Sequence, residues 1–312
     1  MTAQATENKR IHKRSYRGFL WLLLSFFCGT IFITSSKYVL GFLPLSDYLC
    51  WWYGAGLVYH SVYGLRSGNI SLDSISNRHK SFILTYVILD ITGTTAAFVA
   101  LKMMDPSVVS FLNQSQIIFT LILGYIFLNE ILIASECIAA GVIITGMILM
   151  TYNSGSAMLI GVTLMVYANF VGAINLIIVR KIGCVVGAFT FARMRSISLF
   201  AIFMVYNLIK TGSVTVPAPK LLIITFTGAF FGPFLNVISV YKALETIPAG
   251  KLALFRSIQP LFIMVASGIF LHTIPGIRES LGGMIIITGS IILAYFHMGH
   301  VLGWKDPLRT LR

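Results

Sequence analysis

GKLALFRSIQPLFIMVASGIFL, residues 250–271, is an apolar run of bilayer-spanning length that carries Arg256 and Gln259 inside it. A helix rises about 1.5 Å per residue, so roughly 20 apolar residues match the hydrocarbon thickness, and Arg256 falls near its centre. A cation at that depth costs from about 2.5 to more than 10 kcal/mol unless it faces a partner or a water-filled cavity. A functional reading of Arg256 is therefore the default.

The stretch has an earlier counterpart. With an offset of 143 residues, Ala100–Tyr152 aligns without a gap on Ala243–Tyr295, and about fifteen of the 53 pairs are identical. Apolar composition alone supplies matches of Ile and Leu. It does not also align Gln116 with Gln259, Glu136 with Glu279 and Thr145-Gly146 with Thr288-Gly289. The chain reads as a duplication.

Composition fixes the solvent. The protein is 57% hydrophobic and 11% charged, with a mean hydropathy of +0.86. Soluble domains carry about a quarter charged residues, so this is a membrane protein. Its 23 Lys and Arg against 10 Asp and Glu lie at the ends of apolar runs, which points to lipid headgroups rather than nucleic acid as the counter-charge. Cys28, Cys50, Cys137 and Cys184 show no metal-ligand spacing and read as buried thiols.

Ten apolar segments are expected, near 17–40, 46–66, 81–102, 106–128, 132–152, 157–180, 188–210, 221–244, 250–271 and 277–299. The fold class is thus an all-α integral membrane protein of ten transmembrane helices in two five-helix repeats. Because five is odd, the halves have inverted topology. The divisions are a cytoplasmic basic tail at 1–16, repeats at 17–153 and 154–299, and a second tail at 300–312. Residues 1–16 are expected to be disordered. With both termini cytoplasmic, seventeen Lys and Arg fall inside and five outside, in agreement with the positive-inside rule.

Asn113 and Gln116 share a face of the fourth helix, and their counterparts Arg256 and Gln259 share a face of the ninth. They read either as substrate-binding groups on a central cavity or as polar links between helices. Pro260 lacks a backbone donor and is expected to kink the ninth helix. Asp90, in mid-membrane, is a proton-coupling group, the ion-pair partner of Arg256 or a water-exposed acid; Arg195 is expected to extend toward headgroups. Trp52 and Tyr59 lie on an aromatic stripe with Tyr48 and Tyr63. That stripe either packs against substrate or anchors the helix at the interface. Asn169 and Asn175 are weaker candidates. His297 and His300 lack a third ligand, and no metal or cofactor is expected. GxSxG, HExxH and Walker A patterns are absent, so no enzyme activity is expected.

VVSFLNQSQIIFTLILGYIFLNEILIASECIAAGVIITGMILM, residues 108–150, resembles the EamA module of the drug/metabolite transporter superfamily, as does its repeat at 251–293. Glu130 matches the helix-ending acid of that pattern, whereas the second half has Thr273; the first half has Ile117 in place of Pro260. Lys37-Tyr38-Val39-Leu40 resembles the first helix of the superfamily's nucleotide-sugar and triose-phosphate translocators. The resemblance implies a secondary transporter that moves a small polar metabolite, anionic or zwitterionic, by alternating access. The alternatives are a nucleotide-sugar or phosphate-ester exchanger, and a membrane assembly or sensor protein without transport. The expected partners are a small-molecule substrate, the lipid bilayer and a second copy in a homodimer. The expected location is a bacterial inner membrane.

Overall fold

The structure is a computed structural model that describes residues 2–67, 77–128, 134–152, 155–186, 188–244 and 256–301. Every regular element among them is helical. In chain order these are α1 (Thr2–Leu40), α2 (Leu45–Ser67), α3 (Asn77–Met103), α4 (Pro106–Leu112), α5 (Ser115–Leu128), α6 (Ala134–Thr151) and α7 (Ser156–Val186). Then come α8 (Ala188–Thr211), α9 (Pro219–Ala229), a π-helical segment Phe230–Asn236, α10 (Val237–Leu244), α11 (Gln259–Leu271) and α12 (Ile277–Val301).

Seven stretches of the described residues are long and apolar enough to cross a membrane: Gly18–Leu40, Lys80–Met103, Pro106–Phe127, Ala134–Thr151, Met158–Val179, Phe189–Thr211 and Pro219–Val240. Three more of the expected segments are helices outside that group, namely α2, the short apolar α11 and α12. Large apolar side chains cover the outside, among them Phe42, Ile209, Phe270 and Ile277. In water such a surface would aggregate; against hydrocarbon it is the expected exterior.

One expectation fails at the start of the chain. Residues 2–16 are helical and continuous with α1. No Gly or Pro occurs before Gly18, so nothing in the basic segment breaks the helix.

Helix contacts obey the sequence offset. α3 packs on α7, while α1 packs on α9, the π segment and α10; α5 packs on α7, while α1 packs on α11. Each pair is the counterpart of the other with the halves exchanged. α2 on α8 and α6 on α12 map onto themselves. The last contact shows the symmetry at atomic scale. A Cβ on Gly146 would come 2.8 Å from Gly282 O, and one on Gly289, the counterpart of Gly146, would come 3.1 Å from the carbonyl of Ala139, the counterpart of Gly282. Apolar burial gives no driving force between helices in lipid, so this close backbone approach supplies the packing contacts instead.

Candidate functional site

The counterpart helices of the two halves break within one residue of the same place. Between α4 and α5, Gln116 N–H donates to Asn113 O at 3.2 Å rather than to Leu112 O, and Gln114 N–H to Phe111 O at 3.1 Å. Tightening to three-residue spacing leaves Leu112 O without its helical donor. Asn169 of α7 supplies one, its Nδ2 lying 2.8 Å from Leu112 O and 2.8 Å from Ser115 Oγ. In the second half Ser257 and Ile258 interrupt the helix between Arg256 and α11. Pro260 therefore lies in the first turn of α11 rather than in a helix interior. The expected kink is a break, because proline is tolerated where the first-turn N–H has no intrahelical acceptor.

A polar cavity of about 260 Å³ opens beside these breaks. Asn113, Gln116 and Arg256 line it, together with Asp90 and Thr94 of α3, Asn175 of α7, Arg195 of α8 and Asn236 at the end of the π segment. No carboxylate among the described residues pairs with Arg256. The remaining candidates lie elsewhere. Gln259 is turned onto Gly29 of α1, where a Cβ would collide with its amide nitrogen. Gln116 stands in the counterpart place, with its Nε2 at 2.9 Å from a Cβ on Gly172. Both glycines leave room for a glutamine of the other half.

Asp90 corrects an expectation. Arg195 Nε donates to its Oδ2 at 2.8 Å, Arg195 Nη2 donates to Thr94 Oγ1 at 3.0 Å, and the Thr94 hydroxyl lies 3.4 Å from Asp90 Oδ1. The partner is thus Arg195 and not Arg256, and Arg195 turns inward rather than to headgroups. The side chains are 24% and 12% exposed, toward the cavity they share. Arg193, two residues earlier, faces elsewhere, since residues two apart occupy different faces of a helix. Arg195 could have been read from the sequence: it lies about 10 Å along α8 from Ala188, deep for a headgroup contact.

The aromatic candidates do not reach the cavity. Trp52 is 3% exposed and packs against Phe32, Tyr48, Tyr53 and Phe98. Its ring occupies the space a side chain would need at Gly232. Tyr59 donates to Phe226 O at 3.2 Å and packs on Phe230 and Phe234. Both belong to the contact of α2 with α9 and the π segment. Neither Trp52 nor Tyr59 belongs to the lining of the polar cavity, and Trp52 is too buried to meet an interface.

Two further features complete the surroundings. Pro233 lies inside the π segment, and its carbonyl accepts from His60 Nε2 at 3.2 Å, which puts the imidazole proton on Nε2. At the end of the bundle where α3 finishes, Lys37 Nζ donates to Leu101 O at 2.9 Å and Met104 O at 2.7 Å, and Trp51 Nε1 donates to Thr215 O at 2.9 Å. The cavity extends from the helix breaks toward the opposite end, as far as Tyr86 and Val179. Glu130 and the side chains of His297 and His300 lie outside the described residues.

The profile of the EamA-like transporter family matches residues 16–152 and 159–295. A solved structure described only as a crystal structure of a protein is 12% identical, with a TM-score of 0.67 over 93% of this chain and 99% of that one. It shares the fold. No curated protein matches the chain.

Proposed function

Since the chain belongs to the EamA-like transporter family of the drug/metabolite transporter superfamily, we propose that it moves a small anionic or zwitterionic metabolite through the cavity at the two helix breaks. The chain is a multi-pass membrane protein, and its family are transporters rather than enzymes. Ten membrane crossings in two inverted five-helix halves are the arrangement we infer. The exchanged helix contacts support it.

One observation carries the substrate reading. The cavity contains two arginines and one carboxylate; Arg195 and Asp90 neutralise each other, and Arg256 keeps its charge without a carboxylate partner among the described residues. A desolvated guanidinium at a helix break calls for an anionic group, and Arg binds carboxylate or phosphate through two parallel hydrogen bonds. Asn113, Gln116 and Asn175 supply neutral donors and acceptors to orient it. The volume of about 260 Å³ lies just below the range of roughly 300–1,000 Å³ typical of ligand pockets. It therefore favours a small metabolite over a nucleotide sugar.

The one-sided cavity supports a reading of alternating access. With both termini in the cytoplasm, the cavity lies on the cytoplasmic side of the breaks, and the Lys37 and Trp51 contacts close the outside. Rocking of the two halves would open the external side and close the internal one. The pairing of Asp90 with Arg195 removes the ion pair on which a purely structural role for Arg256 would have rested.

The test is ligand-dependent thermal stability of purified protein against amino acids, organic acids, sugar phosphates and nucleotide sugars, with Arg256→Ala in parallel. Ligand at about 100 times Kd stabilises the folded state by about 2.7 kcal/mol. A rise in midpoint with one anionic class, lost in Arg256→Ala, is the expected result. An equal rise in the variant would remove Arg256 from the site.

A further inference from the structure

On the reverse side of the cavity wall, a second, apolar groove of about 480 Å³ runs between α3, α5 and α7. Phe82, Leu123, Phe127 and Ile177 form its walls, with Ser81 and Lys181 at one end. Along α7 the seven helical steps from Ile174 to Lys181 span about 10 Å, the length of the upper part of an acyl chain. The groove thus presents a cation at its mouth and hydrocarbon-like walls below it.

The mouth is basic. Lys80 adjoins Ser81, Lys181 stacks over the Phe127 ring with Nζ 5.6 Å from its centroid, and both lysines are exposed with no carboxylate partner among the described residues. A related groove between α1 and α11 provides the contrast. Phe270 and Ala266 occupy there the positions of Phe127 and Leu123, the volume is about 620 Å³, and Thr30 is the one polar side chain in a lining without a lysine or arginine. Both grooves are apolar; one of them also has a lysine at its mouth.

We propose that the α3–α5–α7 groove is a binding site for an anionic phospholipid, with one acyl chain between the helices and the headgroup phosphate on Lys181 and Lys80. Ammonium groups attract the phosphate, and the zwitterionic headgroup of phosphatidylcholine offsets that attraction with its own cation. Near a membrane surface each lysine favours anionic lipid by about five-fold. The lipid would lie directly behind Asn175 and Leu176, which face the transport cavity from the same helix. Occupancy would then bear on how α7 moves.

The test is native mass spectrometry of the full-length protein purified with equal amounts of phosphatidylglycerol and phosphatidylcholine. Wild type is expected to retain phosphatidylglycerol preferentially. Lys181→Gln should lower that preference about five-fold, and Lys80→Gln with Lys181→Gln about twenty-five-fold. Ala266→Trp, which fills the other groove, should leave it unchanged. Equal retention of the two lipids by wild type would overturn the proposal, as would an unchanged preference in the double variant or loss of preference in Ala266→Trp. Because both lysines are exposed, the variants are expected to fold, and their melting in phosphatidylcholine alone checks this. The outcome is independent of whether Arg256 binds substrate.

Discussion

Arg195 holds the charge balance of the cavity, because it gives Asp90 and Thr94 a common donor. Removing it leaves a carboxylate in a confined space without compensation, which is more costly than losing the pair together. Arg195→Ala is expected to destabilise the protein by about 3 kcal/mol in thermal or chemical unfolding. Asp90→Asn with Arg195→Gln should recover part of that loss, and a strictly additive double variant would show that the two do not act as a pair. Arg256 should behave differently. Since no carboxylate pairs with it among the described residues, Arg256→Gln is expected to retain stability within about 1 kcal/mol while abolishing ligand-dependent stabilisation. Stability and binding thus separate the two arginines.

At the scale of elements, the contact of α6 with α12 tests what glycine contributes. A Cβ on Gly282 would come 2.7 Å from Gly146 O, a backbone atom that cannot turn aside. Gly282→Ala should therefore push the helices apart and cost about 1–3 kcal/mol, measured as a lowered unfolding midpoint in detergent. Gly29→Ala meets only the end of the Gln259 side chain, which can change rotamer. Its cost should remain below about 1 kcal/mol. A comparable loss at both positions would show that backbone contact is not what distinguishes them. The helix breaks follow different local rules in the two halves: Pro260 removes a donor in the second, whereas Asn169 satisfies Leu112 O in the first. Similar geometry has been reached by different chemistry.

Over the whole molecule, duplication has left two unequal sides. The offset of 143 residues carries Asp90 onto Pro233, Arg195 onto Trp52, and Asn169 and Asn175 onto Phe26 and Phe32. These four cavity-lining polar groups thus have apolar counterparts, and Trp52 fills the space over Gly232. Any opening on that side would present aromatic surface, so affinity for a polar substrate should be lower there. The inferred orientation is tested by cysteine labelling in a cysteine-free background. Lys220→Cys should react with a membrane-impermeant maleimide in intact cells, and Lys80→Cys only after permeabilisation. The reverse pattern would place the cavity on the external side.

The sequence by itself determined the solvent and the duplication. Apolar runs of bilayer length, basic residues at their ends and the register of Gln116 with Gln259 are properties of the linear pattern, and they were legible without coordinates. The polar centre was legible too, because Asn113, Gln116, Asp90 and Arg256 interrupt apolar runs where such residues are costly. Only the tertiary structure decided which of them meet. The pairing of Asp90 with Arg195 depends on how α3 and α8 are rotated and placed against each other, and no periodicity within one helix records that. The same holds for Gln259, turned onto Gly29 of a distant helix, and for Trp52 and Tyr59, whose stripe packs on the π segment instead of the cavity. A helix sequence fixes which side chains share a face; the neighbour that face meets is set by packing among segments far apart in the chain.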